Sequence, residues 1–330
     1  MRAITWCNTM RRLGWTAACV AALLGVATPA QAAYPERPIT LVVPFAPGGP
    51  SDIIGRILSI ALSQSLGQQV IIDNMPGAGG IRASETVAHA APDGHTLLLL
   101  TNGNAVSQAL FKSLPYDPVN DFAMISTVGY FSMVLVTSPQ SSAKTLKEFI
   151  ATAKANPGKL NIGSITPGGT QHLAAELFRS TAGIDAVVVP HKTTGEVLVA
   201  TLNGTVDLAV DFIAPLLSSI QSGQLRALAV TAGKRFPGLP EVPTVIEAGV
   251  PGYDVASWNA LAAPAKTPRA IIDRVHHALD KALAAPDVQK RFAELGVEGR
   301  ASTPEQLREF YAAEMKRWTR VVERAKIPKQ

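Results

Sequence analysis

Ile39-Thr40-Leu41-Val42-Val43-Pro44-Phe45-Ala46-Pro47-Gly48-Gly49-Pro50-Ser51-Asp52 reads as strand, tight turn and helix start in fourteen residues. The β-rich run Ile39–Phe45 stops at a Pro/Gly turn. Then Ile53, Ile54, Ile57, Leu58, Ala61 and Leu62 recur at helical spacing until Gly67 ends the pattern. The unit repeats outward from there. Gln69–Asp73 is a strand, Asn74–Gly80 a loop, and a helix runs through Thr86-Val87-Ala88. His95–Thr101 is a strand with almost no polar alternation, as expected when both faces are covered. Thr101-Asn102-Gly103-Asn104 is its loop, with a helix near Ser107–Leu114. Strand, loop and helix in series predict a parallel sheet with crossover helices.

After Pro115 the pattern breaks. Phe122–Thr137 reads as two extended segments interrupted near Tyr130–Ser132. A second α/β series opens at the capping box Thr145-Leu146-Lys147-Glu148. It continues with strand Lys159–Ile165, helix Gln171–Thr181, strand Asp185–Pro190, a helix through Val197–Leu202, strand Val206–Phe212, helix Pro215–Gln221 and strand Leu225–Thr231. Lys234–Gly252 is a Pro/Gly-rich connection. Another extended run, Asp254–Ala263, follows. Two long amphipathic helices close the chain, with Thr267-Pro268 and Thr303-Pro304 as start signals. The two interruptions predict two α/β lobes crossed twice by extended segments: residues 33–131 with 257–330 in one, 132–256 in the other.

Composition sets the class. Of 330 residues 47% are apolar and 17% charged, which excludes a disordered chain. Both cysteines, Cys7 and Cys19, lie in the first twenty residues, so no disulfide framework is available. Residues 1–32 hold Arg2, Arg11 and Arg12, the apolar stretch Ala17–Val26 and then Ala30-Gln31-Ala32. That order is the pattern of a secretory signal peptide, and the apolar run is too short to span a bilayer. Met10 is an alternative start, and Arg11-Arg12 leaves Sec and Tat export both open. The net charge of +5 falls to +2 without this segment, and no basic cluster with interleaved aromatics is present. A nucleic-acid partner is not expected. The expected place is the periplasm.

Four glycine-rich turns, Ala46–Asp52, Asn74–Gly80, Thr101–Asn104 and Ser164–Thr170, each follow a strand and precede a helix. In an open parallel sheet such turns gather at the carboxyl edge, where ligands bind. Each helix start adds free N–H donors and a partial positive charge, which suits an anion. One such turn alone is more often tight packing; four in one chain favour a site. A helix terminus contributes roughly 0.3–1 kcal/mol to a nearby anion, and a hydrogen bond to a charged group about 1.5–3. Four bonds and two helix ends therefore reach the ~8 kcal/mol of a micromolar complex before entropic costs, without an arginine. Ser51, Ser164 and Thr170 add hydroxyl donors.

Named chemistries are missing. Gly77-Ala78-Gly79-Gly80 lacks the third glycine of a dinucleotide fingerprint, and no turn ends in Gly-Lys-Ser/Thr. There is no Gly-x-Ser-x-Gly elbow and no His-Glu-x-x-His. Ser141-Ser142-Ala143-Lys144 lacks the companion motifs of serine acylases. No cofactor and no metal are expected, because no histidine pair has metal-site spacing. His276-His277 read as a solvated helix face and His89 and His95 as structural. His172, behind a glycine turn, and His191, at a strand end, are pocket candidates.

The motifs Val43–Asp52 and Asn74-Met75-Pro76-Gly77-Ala78-Gly79-Gly80 resemble the Bug (TctC) family of solute-binding proteins. So do Pro92-Asp93-Gly94-His95-Thr96-Leu97, Tyr116-Asp117-Pro118, Gly163-Ser164, Ser257-Trp258-Asn259, Leu261-Ala262-Ala263-Pro264 and Thr267-Pro268. The resemblance spans essentially the whole chain after residue 32. It implies a two-lobed periplasmic binding protein (type II), with two Rossmann-like domains joined by crossover strands. It also implies a monomeric receptor, not an enzyme, that closes on a small organic carboxylate and delivers it to the membrane subunits of a tripartite tricarboxylate transporter. Carried over, the site is Phe45, Ala46, Gly49, Ser51 and Asp52 facing Ser164, Gly169, Thr170 and His172. Gly79 and Asn102 join from the middle turns, and His191 and Asp211 form the distal end. Asp52 is expected to order its turn, since its own charge would oppose an anion. Asp211 suits a ligand amine and not a second carboxylate. Met75 replaces the family's usual arginine, His191-Lys192-Thr193 its usual Tyr-Lys-Gly, and Ala260 a frequent glycine. Ligand identity stays open. Two other readings share these residues: a secreted α/β hydrolase or isomerase whose turns hold a reacting oxyanion, and a ligand-sensing adaptor without transport.

Overall fold

A computed structural model describes residues 34–165, 169–325 and 327–329; the expected export segment, residues 1–32, lies outside them. The β-branched run Ile39–Val43 is strand β1, buried at every position except Thr40. Helix α1 (Pro50–Leu66) starts on Gly49 with Pro50 at its first position, and stops at Gly67 in the left-handed conformation. Then come β2 (Val70–Asn74), α2 (Ile81–Ala88) and β3 (Thr96–Thr101). Strand β1 pairs in parallel with both β2 and β3, as the alternating pattern predicts.

Helix α3 spans Asn102–Leu110, earlier than the expected Ser107–Leu114. The reason is local. Asn104 Oδ1 accepts from the Thr101 amide at 2.8 Å and closes a capping box that starts the helix on the strand's last residue.

Strand β4 (Phe122–Thr137) is one continuous 16-residue strand, where two segments were expected. It changes partners at the predicted interruption without breaking. Phe122–Ser132 pairs antiparallel with β9 (Ala256–Pro264), and Met133–Val136 pairs with β7 (Leu208–Phe212). Beyond β4 the second series runs through α4 (Leu146–Ala155), β5 (Asn161–Ile165), α5 (Thr170–Ala182), β6 (Val187–His191) and α6 (Thr194–Leu202). After β7 come α7 (Ile213–Gln221) and β8 (Arg226–Val230). The strand order is β2-β1-β3-β9-β4-β7-β5-β6, with β8 also on β4. From Arg37 onward the chain forms one compact unit. Its sheet has two halves that share β4.

The close of the chain corrects the expectation of two long helices. Three helices follow β9: α8 (Arg269–Ala284), α9 (Pro286–Glu294) and α10 (Pro304–Arg324), with the short strand β10 (Val297–Gly299) before the last. Pro286 forces the break, because the residue before a proline is pushed out of helical geometry; Ala285 has ψ 130°. Pro268 caps α8 rather than sitting in its first turn. Helix α10 returns to the first half and packs on α3 and β4. Its Trp318 is fully buried and donates from Nε1 to Asn102 Oδ1 at 2.8 Å and to Glu314 Oε2 at 3.1 Å. Trp258 of β9 donates to the same Glu314 oxygen at 3.2 Å. One buried carboxylate thus ties β9 and α10 together beneath the start of α3.

Candidate functional site

The helix starts converge on a cavity of about 720 Å³ that both sheet halves line. Ser51 of α1 and Asn102 of α3 come from one half, and Thr170 and Gln171 of α5 from the other. First-turn amides have no partner inside their own helix, so this cavity faces three sets of free donors and three positive dipole ends. Asn102 Nδ2 donates to Thr170 Oγ1 at 3.0 Å, a direct bond from one half to the other. Trp318 fixes the other end of the same amide. Asn259 of β9 donates to Ser51 Oγ at 3.3 Å and orients that hydroxyl.

Of the residues expected here, Phe45, Ala46, Gly49, Ser51, Gly79, Asn102, Gly169 and Thr170 line the cavity. Asp52, Ser164, His172, His191 and Asp211 stand outside its lining. Asp52 is buried and clamps the first turn. Its carboxylate accepts from the Gly48 amide at 2.8 Å, Arg56 Nε at 2.9 Å and Asn74 Nδ2 at 2.9 Å. The Asn74 amide also donates to Phe45 O at 3.0 Å. Burial raises the Asp52 pKa, but the bonds from Arg56, Gly48 and Asn74 outweigh it and hold the group at about 2.

A depressed carboxyl pKa contributes stability above the unfolded value near 3.9, lost as pH falls through the folded value. Asp52→Asn is therefore expected to cost about 1–2 kcal/mol at pH 7, after discounting for the half-exposed Arg56 partner. In urea titrations the gap to the parent protein should close between pH 4 and pH 2. A gap independent of pH would rule out the clamp.

The other four groups differ in kind. Ser164 is fully buried and its Oγ meets no hydrogen-bonding partner among the described residues. Burial lowers the His172 pKa, opposed by Glu176. His191 Nδ1 lies 3.1 Å from Val189 O, in its own strand. Asp211 is fully buried. Its Oδ1 accepts from Gln171 Nε2 at 3.2 Å and from the Phe212 amide at 2.7 Å, and among the described residues Oδ2 has no partner of hydrogen-bonding geometry. Burial raises its pKa, opposed by Thr194, Phe212 and Gln171.

The lining also holds residues that turn-reading alone passed over: Gln171, Lys192, Phe131, Phe212 and Ser257. Gln171 sits between Thr170 and His172 on the same helix start, so its position in the turn was the available signal. Lys192 is the only ionisable side chain among the described residues of the lining. Phe131 comes from β4, and no local pattern marks it. Gly79 has φ +65°, and a Cβ there would meet Ser107 Oγ at 2.5 Å, so the second turn approaches α3 only as glycine. Ser107 bonds back to the Gly79 carbonyl at 3.0 Å. Met75 packs half-buried on the core.

His276, His277 and Asp280 of α8 each bring a ligand atom within 4.8 Å of the others, with Asp280 about one helix turn beyond the adjacent histidines. The trio is outside the cavity lining, and His276 Nε2 already bonds Ser302 O at 2.9 Å.

Comparison with known proteins bears on this architecture directly. The family model described as tripartite tricarboxylate transporter family receptor matches residues 54–327. The chain belongs to that family. Among its relatives, protein BugT of Bordetella pertussis is 38% identical over 304 residues, covering 91% of this chain and 93% of that protein. An R. palustris protein solved with adipate superposes on the receptor with a TM-score of 0.78 at 32% identity, over 90% of this chain and all of that one. MatC of Rhodopseudomonas palustris, solved with bound malate, gives 0.74 at 35% identity, over 88% of this chain and all of that one. Among the described residues of the receptor, no helix is long and apolar enough to cross a membrane.

Proposed function

We propose that this receptor captures a small organic carboxylate between its two sheet halves in the periplasm and presents it, as a monomer and unchanged, to the membrane subunits of a tripartite transporter. The observation that carries the reading is the convergence of three helix starts from both halves on one cavity bridged by Asn102 and Thr170. Backbone N–H groups aimed from two sides grip an anion best when the sides approach, which couples binding to closure. The relatives solved with adipate and malate support the class of ligand. On this reading the halves act as lobes, residues 33–131 with 257–330 and residues 132–256, and β4 is one of their crossings. Among the described residues no base is hydrogen-bonded to the Ser164 hydroxyl, which weighs against an acyl-transfer enzyme.

A thermal-shift screen of mono-, di- and tricarboxylates, aromatic acids and amino acids tests the proposal. A true ligand at 100 times its Kd stabilises by about 2.7 kcal/mol and raises the melting temperature by several degrees. Magnetic resonance of the same samples should recover the acid chemically intact. A panel in which no acid moves the melting temperature, or one in which the acid is converted, sinks the reading.

A further inference from the structure

A second cavity of about 440 Å³ adjoins the first and shares Pro50, Phe131, Gln171 and Phe212 with it. The Phe131 and Phe212 rings meet edge to face, 5.4 Å apart, at the junction. Beyond them the wall is mainly Ile53 and Ile54 of α1, Ile213 and Ala214 of α7, and Leu295 and Val297 around β10. Its polar side chains are Ser132, Gln171, Thr194 and Glu294. Glu294 contributes a carboxylate, and no cationic side chain lines this space among the described residues. At the junction, Gln171 donates from Nε2 to Asp211 Oδ1, which fixes the side chain and leaves Oε1 and the second amide N–H.

We propose that the second cavity receives the apolar tail of a monocarboxylate whose acid group is held at the helix starts in the first. This rests on the receptor reading and narrows it to one ligand class: an acid with one charged end and a ring or chain of roughly six or more carbons. A volume of 440 Å³ holds about a dozen water-sized groups, so a six-membered ring fits. Apolar walls favour such a tail, whereas a second carboxylate would lose its hydration beside Glu294 with no cationic side chain to meet it. Phe131 and Phe212 present ring edges and faces along which a flat or linear body passes.

Calorimetric titration with unbranched monocarboxylates from propionate to decanoate, with 3-phenylpropionate and with the dicarboxylate suberate, tests it. Affinity should rise roughly fourfold per methylene once the chain passes the phenylalanine pair. Phenylpropionate should bind at least 30-fold tighter than propionate, and suberate should lack the gain that octanoate shows. Ala214→Phe fills the second cavity at a partly exposed helix position. It should erase the gain for long acids and leave propionate binding unchanged, which also reports that the variant is folded. Affinity flat with chain length, an equal gain for suberate, or an Ala214→Phe loss shared by short and long acids would overturn the tail pocket while leaving the receptor intact. If no acid of any length binds, both readings fall together.

Discussion

Valine at position 49 is expected to raise the Kd for any carboxylate ligand at least 100-fold while leaving the empty protein folded. Gly49 caps α1 with φ −78° and ψ 166°, extended geometry that any residue adopts, so the substitution brings no backbone strain. A Cβ there has only Ala46 O nearby, at 3.7 Å; the added methyls therefore extend into the cavity and not into the core. They occupy the space from which an anion reaches the free amides of Ser51 and Asp52. Losing two charge-assisted bonds at about 1.5–3 kcal/mol each accounts for the factor. The checks are calorimetry with a ligand from the carboxylate screen and a melting curve of the unliganded variant within about 2 °C of the parent. Unimpaired binding would mean that the acid is not held at this helix start.

The largest stability effect is expected at Trp318. Trp318→Ala deletes a fully buried indole at the crossing of α10, α3 and β4, at a cost of about 3–5 kcal/mol. For a chain of this length that is a fall of roughly 6–15 °C in melting temperature. Binding should suffer as well, since Asn102 loses the donor that fixes its amide opposite Thr170. Trp318→Phe separates the two. It keeps most of the apolar volume but removes the N–H, so stability should recover more than affinity does. Equal recovery of both would show that the indole acts on the site through packing alone.

Most of the fold was legible because its signals are local. Pro50 and Gly67 bracket α1, and β3 reads as a strand covered on both faces. The misreadings came from longer-range causes. Tyr130–Ser132 looked like an interruption because the polar and aromatic residues there suit a strand changing neighbours, and a sequence records the change but not the continuity. At the site, the four glycine turns drew attention to helix starts, since backbone donors depend on turn chemistry. The apolar wall did not stand out. Phe131, Phe212 and Leu295 reach their cavities from distant elements, and nothing in their immediate neighbours distinguishes them from core residues. Asp211 was placed at a distal ligand subsite; its bond to Gln171 gives it a further part, orienting a residue that does line the cavity.

The unbroken course of β4 has a cost in folding as well as a use in binding. Neither half of the sheet can complete its hydrogen-bond ladder without this strand, and stripping it from one half leaves the other with an unpaired edge. Denaturation is thereby coupled across the molecule. A lesion in the first half is therefore expected to lower the melting temperature of the whole molecule, with far-UV and near-UV signals lost together.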